Sequence, residues 1–145
     1  MKASDILKEK GSMVRTISPD KTVIQALQSM IENKVGSLVV TERGNTPVGI
    51  ITERDILRHA GRTDAWKETS ISKIMTKNLI IGFPGDDIEV IMALMTQNRF
   101  RHVPILQDKK LAGIISIGDI VKAKLKDVKA ENRYLNAYIM GKYPA

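Results

Sequence analysis

Hydrophobic positions recur along the first half of the chain with two different spacings, and each spacing predicts a different element. Residues 14–17 form a short apolar run that stops at Ser18 and Pro19, which predicts a strand. Beyond Thr22, a residue type that caps helices, apolar residues return at helical spacing. The stripe predicted to face the core consists of Val23, Ala26, Leu27, Met30 and Ile31.

Two strands and a second helix complete this half. Residues 37–41 form a short segment rich in β-branched side chains, and residues 48–51 form an apolar segment. Residues 42–47, which lie between them, are rich in turn formers. This pattern predicts two strands joined by a turn. A helix is then predicted from Glu53 to about Ala60. The first half therefore has the element order β-α-β-β-α.

The second half repeats that order. A displacement of 65 positions places Pro84 on Pro19, and a displacement of 64 places residues 113–120 on residues 49–56 with five identities in eight. The corresponding predicted elements are a strand at 79–83, a helix at 87–98, strands at 102–106 and 111–115, and a helix from Ile117.

Each half is too short to bury its apolar face alone, so we expect the two halves to pack against each other about a pseudo-twofold axis. The predicted fold class is α/β (α+β), with two tandem β-α-β-β-α repeats and an extended C-terminal helix. The predicted domains are residues 1–66 for the first repeat, residues 67–125 for the second repeat, and residues 126–145 for a C-terminal helical tail. The halves also open alike, at residues 4–7 and 72–75.

Both halves carry the motif Gly-Ile-Ile-(Thr/Ser)-x-x-Asp at a strand-to-helix junction. A helix N-terminus presents unpaired N–H groups and the positive end of its dipole, which favour phosphate. The aspartate follows the hydroxyl residue by one helical turn, so its carboxylate is placed to accept both hydroxyls of a ribose. The glycine is predicted to leave room for an approaching ligand. The residues are Gly49, Ile50, Ile51, Thr52 and Asp55 in the first copy and Gly113, Ile114, Ile115, Ser116 and Asp119 in the second.

The same spacing also matches a helix capping box, whose only role is to satisfy helix N–H groups. Two observations favour a ligand site over that structural role. The motif recurs at the same place in both halves, and both copies use an aspartate, Asp55 or Asp119, where a capping box prefers Glu or Gln.

The absence of cysteine narrows the function classes, because it excludes disulfide frameworks, thiol nucleophiles and cysteine-type zinc sites. The motifs of serine hydrolases, phosphate-binding loops and zinc proteases are absent as well, so we expect no enzyme and no metal site. The N-terminus lacks the pattern of a signal peptide, and no run approaches the ~18 apolar residues of a membrane span. We therefore expect a soluble, cytoplasmic protein.

The duplicated motif, together with residues 33–40 and 98–105, resembles the CBS-domain family, named after cystathionine β-synthase, and specifically the stand-alone CBS pair, or Bateman module. The resemblance covers nearly the whole chain. It implies a regulatory module that binds an adenine nucleotide (AMP, ADP, ATP or NAD(H)) as a ligand rather than as a prosthetic group. It also implies an unidentified partner protein that responds to changes in conformation or dimer geometry.

The resemblance further implies roles for individual residues. Asp55 and Asp119 would bind ribose hydroxyls, while Thr52 and Ser116 would hold phosphate or ribose. Adenine would lie between the last apolar residues of the strands, Ile51 and Ile115, and the first strands of the repeats, represented by Ile17, Ser18, Pro19, Ile80 and Ile81. The basic residues that would meet phosphate are Arg54, Arg101 and His102.

The two halves differ around the motif. Gly36 stands where the second half has Arg101, and Arg54 has no basic counterpart in the second half. We therefore expect a single well-formed phosphate site built around Asp55, with Arg54 beside it and Arg101 or His102 reaching across. A packed histidine without a ligand role is the alternative interpretation of His102.

Apolar residues beyond Val121 follow the spacing of a helix that pairs with another helix. The positions are Val121, Leu125, Val128, Leu135 and Ile139, with the polar Asn132 in the remaining slot. The partner surface is either a second chain or the second repeat of the same chain. The family resemblance favours a homodimer.

The net charge of +7 is concentrated in residues 121–145, which contain six Lys or Arg and two Asp or Glu. A basic tail supports an alternative function, nucleic-acid binding under nucleotide control. A solvated helix face is the simpler interpretation, because aromatic residues are scarce and no base-stacking platform is evident. We therefore expect a nucleotide sensor rather than a nucleic-acid-binding protein.

Overall fold

The computed structural model describes residues 1–11, 13–43 and 45–139, and it shows mixed α and β structure in both halves. The first half contains helix α1 (Ala3–Lys10), strand β1 (Thr16–Ile17), helix α2 (Val23–Asn33), strands β2 (Ser37–Glu42) and β3 (Thr46–Thr52), and helix α3 (Glu53–Ala60). The second half contains helices α4 (Ile71–Ile74) and α5 (Ile88–Asn98), strands β4 (His102–Gln107) and β5 (Lys110–Ser116), and helix α6 (Ile117–Ile139). A single 3-10 turn at Trp66–Glu68 lies between them. The predicted fold class is confirmed.

The sheet of the first half has the strand order β1-β2-β3. Strand β1 is parallel to β2, with Thr16 opposite Val39, and β2 is antiparallel to β3, with Ser37 opposite Thr52. The first predicted strand, at residues 14–17, is therefore present but shortened to its second half. The pairing of β2 with β3 places the end of β3, and with it the start of α3, beside the beginning of β2.

The second half has an incomplete counterpart of that sheet. Strands β4 and β5 pair in antiparallel fashion, but the strand predicted at residues 79–83 is not formed. Only Gly82 pairs, in parallel, with Ile105. The strand prediction was wrong: residues 79–81 are unpaired, and the chain turns directly after Gly82, where the N–H of Phe83 donates to Oδ2 of Asp86 at 2.8 Å. The apolar run therefore leaves the ladder after one bridge.

Each hydrophobic core is completed by the helix that precedes the other repeat in the sequence. The first core, built on α2, β2, β3 and α3, includes the fully buried Ile71 of α4. The second core, built on α5, β4, β5 and α6, includes Ala3, Ile6 and Leu7 of α1. The domain boundary predicted at residue 66 separates the two repeats of the sequence. The packing crosses this boundary, because each core contains a helix from the other side of it. Residues 140–145 of the predicted tail lie outside the described residues.

Gly49 and Gly113 provide room for these exchanged segments. A Cβ atom on Gly113 would lie 2.5 Å from Cδ2 of Leu7, and a Cβ atom on Gly49 would lie 2.6 Å from Sδ of Met75. Leu7 and Met75 occupy the same place in the similar openings of the two halves. The prediction that these glycines leave room for a ligand was wrong, because the space beside them is filled by the protein's own side chains.

The apolar stripe predicted for α2 is correct except at its edge. Val23, Ala26 and Met30 are buried, whereas Ile31 is 70% exposed. Ile31 lies farthest around the helix from the centre of the stripe, in the last turn, where the sheet no longer covers it.

Helix α6 packs on the second core through one face and exposes another. Ile120 is buried in that core, whereas Val121, Leu125 and Val128 are 50–55% exposed. These three residues therefore do not form a seam within the chain, and pairing with a second chain stays a prediction. The side chains at positions 135 and 139 lie outside the described residues. Within the described ranges, no helix combines the length and the apolar character that crossing a membrane requires.

Substitution of Gly113 by alanine should destabilise the protein, because the added methyl group would overlap Leu7. Overpacking of a core costs about 1–3 kcal/mol, and we expect a loss of this size in the free energy of unfolding measured by urea denaturation. Gly85→Ala is the matched control, since no atom beyond its chain neighbours lies within 4 Å of that Cβ position.

The control should change stability by no more than about 0.5 kcal/mol. Combining Gly113→Ala with Leu7→Ala should cost less than the sum of the two single changes, because the two side chains share one space. Equal effects of the two glycine substitutions would contradict the packing of α1 on β5.

Candidate functional site

A reciprocal pair of hydrogen bonds between Thr52 and Asp55 holds the start of helix α3. The backbone N–H of Thr52 donates to Oδ2 of Asp55 at 3.0 Å, and the backbone N–H of Asp55 donates to Oγ1 of Thr52 at 3.2 Å. Ser116 and Asp119 repeat this arrangement at the start of α6, with distances of 2.8 Å and 3.1 Å. Both copies of the motif are therefore capping boxes.

The capping role leaves part of each motif available to a ligand. Within the described residues, the hydrogen bonds of the Asp55 carboxylate involve only Oδ2, so Oδ1 remains able to accept. The hydroxyl of Thr52 accepts from the helix and retains its own proton to donate. Treating aspartate as evidence against a cap was thus wrong. The cap instead holds the carboxylate in a fixed orientation at the helix N-terminus.

A cavity of about 670 Å³ lies between the two repeats, and each repeat contributes one wall. The first repeat contributes Thr52, Arg54 and Asp55 from the end of β3 and the start of α3. The second repeat contributes Arg101 and His102 from the beginning of β4. The structure thus brings together five of the residues selected from the sequence. We call this space the inter-repeat cavity.

Arginine side chains dominate the charge of the inter-repeat cavity. Arg54 and Arg58 approach from α3, and Arg99 and Arg101 approach from the chain that follows α5. Within the described residues, none of the four forms an ion pair with a carboxylate. Guanidinium groups bind phosphate oxygens through paired, charge-assisted hydrogen bonds. The arrangement can therefore neutralise an anion that carries more than one charge.

Arg58 and Arg99 were not among the site residues predicted from the sequence. Arg58 follows Arg54 by one helical turn, so a helical projection of α3 would have placed both on the same face. Arg99 is the C-cap of α5 and adopts a left-handed conformation with φ of 59°. This backbone turn directs the chain back toward the cavity, and no residue pattern around Arg99 indicates it.

The apolar wall of the cavity is displaced by one residue from its predicted position. Ile51 and Ile115 are fully buried in the two cores, so they are not available to a ligand. Ile50 lines the inter-repeat cavity instead, and Ile114 occupies the equivalent place in the second repeat. Side chains alternate between the two faces of a strand. The residue directly before the hydroxyl therefore faces the core, and the one before it faces the cavity.

The remaining predicted adenine contacts do not line this cavity or the smaller one described below. They are Ile17, Ser18, Pro19, Ile80 and Ile81. Ile17 and Ile80 pack on the cores, and the carbonyl oxygen of Pro19 accepts from Oγ of Ser70 at 2.9 Å. Leu79 and Phe100 provide apolar surface to the inter-repeat cavity instead.

A smaller cavity of about 200 Å³ lies at the second junction, beside Ser116. Here Nζ of Lys10 donates to Oδ2 of Asp119 at 2.7 Å and to the carbonyl oxygen of Ile114 at 2.8 Å. Partial burial alone would raise the pKa of the Asp119 carboxyl, but hydrogen bonds from the Lys10 ammonium and from Ser116 lower that pKa below its ordinary value. The Asp119 carboxylate is thus ionised, and the ammonium group of Lys10 is bound to it.

His102 lines both cavities. Burial lowers the pKa of His102 below its ordinary value of 6.5, and the charges of Lys10 and Arg101 lower it further, while Asp119 and Asp55 oppose this shift. The imidazole is therefore neutral at pH 7. A neutral imidazole can donate or accept a hydrogen bond, and the positive charge of the inter-repeat cavity comes from the arginines.

Two capped strand-to-helix junctions with a cavity between their repeats define a module built by duplication. The chain belongs to the CBS-domain family, because the family model for the CBS domain matches residues 3–62 and 71–126.

Individual relatives agree with this assignment. The CBS domain-containing protein CBSX3, mitochondrial, of Arabidopsis thaliana is 41% identical in an alignment of 151 positions that covers 97% of this chain and 72% of that protein. The crystal structure of the CBS-domain containing protein ATU1752 from Agrobacterium tumefaciens has a TM-score of 0.80 and 40% identity, and the match covers 86% of this chain and 99% of that one. The CBS domain pair of protein MJ0100, in complex with methylthioadenosine and S-adenosyl-L-methionine, has a TM-score of 0.78 over 88% of this chain and 98% of that one. At 23% identity, this last similarity shows the fold alone.

The lowered pKa of His102 predicts a loss of stability in mild acid. An unfolded chain takes up a proton on histidine near pH 6.5, whereas the folded protein does so only at lower pH. The free energy of unfolding should therefore decrease as the pH falls from about 6.5 through the lowered pKa. In urea denaturation at a series of pH values, His102→Gln should lose less stability over this interval than the wild type. The same pH dependence in both proteins would contradict the burial of a neutral His102.

Proposed function

We propose that this chain is a non-catalytic regulatory module that binds an adenine nucleotide in the inter-repeat cavity. The candidates are AMP, ADP, ATP and NAD(H). One observation carries the proposal: a cavity between the repeats has the capped Asp55 on one wall and arginines on both walls. Few ligands other than a nucleotide need both a carboxylate for hydroxyl groups and several guanidinium groups for phosphate.

The ribose is assigned to the start of α3. Oδ1 of Asp55 accepts from the ribose hydroxyls, while Oδ2 remains bound to the N–H of Thr52. The helix N-terminus lies at the same place and favours a phosphate close to the sugar. This arrangement uses the carboxylate oxygen that the cap leaves free.

The adenine ring is assigned to the apolar part of the cavity. Ile50 lies on the wall formed by the first repeat, and Leu79 and Phe100 lie on the wall formed by the second repeat. Apolar and aromatic side chains bury a flat ring at low cost, and a small number of polar groups fix its orientation. His102 is neutral and so provides one such group.

The charge of the cavity favours more than one phosphate group. Its walls hold four arginines and two carboxylates, and one of these carboxylates, Asp55, is assigned to the ribose. A diphosphate or triphosphate chain can engage arginines on both walls, whereas a monophosphate reaches fewer of them. We therefore infer that ADP, ATP or NAD(H) binds more tightly than AMP.

The position of the cavity suggests how binding is transmitted. Because the ligand contacts both repeats, it stabilises the relative arrangement of the two repeats that suits it best. A partner protein that contacts both repeats then binds the two arrangements with different affinity, which is an allosteric coupling. We therefore propose that nucleotide binding changes the angle between the two repeats and that the partner responds to this angle.

The alternative function, nucleic-acid binding through the basic tail, receives less support. Lys124 pairs with Glu89 on α5, and Lys126 pairs with Glu9 on α1 at 3.1 Å. Two lysines of the basic segment at residues 121–145 therefore already lie close to carboxylates on α5 and α1. Exposed pairs of this kind are weak, so the alternative stays a prediction of the sequence that oligonucleotide titration can test.

Asp55→Asn should weaken ADP binding by about tenfold, because hydrogen bonds to a charged carboxylate are stronger than those to an amide. The amide oxygen still accepts from the N–H of Thr52, so the helix cap is retained. Isothermal titration calorimetry measures the dissociation constant, and urea denaturation verifies that the variant is folded.

Asp119→Asn is the matched control, since Asp119 has the same cap but lies at the second junction. It should leave the affinity for ADP close to that of the wild type, and AMP should bind the wild type more weakly than ADP. Equal losses in the two variants would contradict the asymmetry of the sites. Unchanged affinity in both would contradict the role of the carboxylate in binding ribose.

We also propose that the chain forms a homodimer through the exposed seam of α6. Leu125→Glu should shift the sedimentation-equilibrium mass toward that of a monomer, because a charge at the centre of an apolar helix contact is costly to bury. Lys122→Glu changes charge on the same helix away from the seam and serves as the control. A wild-type protein with the mass of a monomer at high concentration would refute the dimer.

A further inference from the structure

The C-terminal end of α1 reaches the second strand-to-helix junction, where Lys10 contacts the motif itself. Its ammonium group donates to Oδ2 of Asp119 and to the carbonyl oxygen of Ile114. The side chains of Lys10 and Asp119 are 34% and 23% exposed, so this ion pair is more buried than the others in the described part of the chain. It lies beside the smaller cavity.

The position of Lys10 follows from the packing of α1. Ile6 and Leu7 are buried in the second core, and Leu7 rests against Gly113 on β5. Lys10 follows Leu7 by about one helical turn and is therefore carried to the end of β5. Gly11, with φ of 94°, then ends the helix. The packing of α1 in the second core thus determines where the backbone of Lys10 lies, and with it the contact to Asp119.

Lys10 is bound to the carboxylate that a nucleoside would use at this junction. It contacts Oδ2, which also accepts from the capping N–H of Ser116, whereas Oδ1 of Asp119 has no partner within the described residues. Asp119 is the equivalent of Asp55, to which the proposed function assigns the ribose hydroxyls. Those hydroxyls donate hydrogen bonds, and the ammonium group of Lys10 is likewise a donor. Within the described residues, Asp55 has no such cation bound to it.

The first junction lacks an equivalent of Lys10 for two reasons. When residues 72–75 are aligned on residues 4–7, the position of Lys10 is taken by Asn78, which has no charge and is exposed. Helix α4 is also only four residues long, against eight for α1. The segment that packs beside Asp55 therefore ends its helix before it could deliver a side chain to the carboxylate.

We propose that Lys10 acts as a tethered cation that closes the second junction to nucleotide, so that each chain binds a nucleotide at Asp55 alone. The inference rests on the proposed function for the choice of ligand. It adds a specificity-determining residue that lies outside the motif and on the other repeat's opening helix. A ligand at the second junction has to share the Asp119 carboxylate with this ammonium group, whose charge weakens the attraction of the carboxylate for hydroxyl donors. It also has to move the Lys10 side chain, which lines the smaller cavity.

The test is the stoichiometry of AMP binding, measured by isothermal titration calorimetry on the full chain. Wild-type protein should bind a single AMP per chain. Lys10→Ala should bind a second AMP, with an affinity at the second junction about tenfold or more above any weak second event in the wild type, since a charge-assisted contact no longer competes. Lys8→Ala, a change of the same kind on the same helix, should behave as the wild type.

A double variant locates the second site. Lys10→Ala combined with Asp119→Asn should lose the second AMP and keep the first. Circular dichroism and urea denaturation verify that each variant is folded; because Lys10 lies at the end of α1 and outside both cores, its removal leaves the packing intact.

Each outcome decides between the proposals. A second AMP in Lys10→Ala supports closure by Lys10, even if the first site proves not to involve Asp55. If Lys10→Ala still binds one AMP per chain, the proposal that Lys10 closes the second junction is refuted. The proposed function is then still supported if Asp55→Asn binds nucleotide more weakly than the wild type. Weaker binding in Lys10→Ala refutes the closure as well, because Lys10 would then be a phosphate ligand. No binding of AMP or of ADP in the wild type or in any variant refutes both proposals.

Discussion

The close contact between a glycine on one strand and the side chain of an exchanged helix underlies the rest of the structure. Leu7 lies against Gly113, and Met75 lies against Gly49, so each core is completed by the segment that leads into the other repeat. Such contacts bury apolar surface that neither repeat could bury alone. They also determine which surfaces face each other between the repeats. The inter-repeat cavity is therefore a product of core packing as much as of its own lining.

In the proposed function, the motif combines its structural role as a helix cap with a ligand-binding role in the same side chains. Oδ2 of Asp55 closes the capping box, and this fixes the orientation in which Oδ1 is presented. A carboxylate held by a helix N-terminus loses little further freedom when a ligand binds, which lowers the entropic cost of association. The two interpretations considered for the motif are thus complementary. The difference between the repeats arises from what surrounds each carboxylate: arginines around Asp55 and a lysine on Asp119.

The sequence predicted those features that depend on local patterns. The strand, the capping residue and the aspartate at residues 49–56 are close in the chain, and they gave the correct start of α3. The exchange of α1 and α4 was not predictable, because the apolar residues at positions 6 and 7 indicate a buried face but not the sheet that buries it. Lys10 was missed for the same reason. In the sequence it is one of 23 basic residues, and only the fold brings it to Asp119.

Errors of detail arose where an element ends. The family resemblance implied a ligand contact at Ile51, but the alternation of β3 places Ile51 in the core and Ile50 on the cavity wall. Residues 79–83 are as apolar as a strand, but the hydrogen bond between Phe83 and Asp86 turns the chain after a single bridge. In this second case a neighbouring turn overrides the local pattern of hydrophobic residues.

The shared position of His102 has a consequence for how such a module responds to its surroundings. Its imidazole borders both cavities, and its proton affinity depends on the charges in each of them. Polyanion binding makes protonation of a nearby imidazole easier, and by thermodynamic linkage protonation strengthens the binding of the polyanion. If the proposed function holds, a CBS pair built in this way integrates two signals, because acidification of its surroundings and a rise in nucleotide concentration would favour the same bound state.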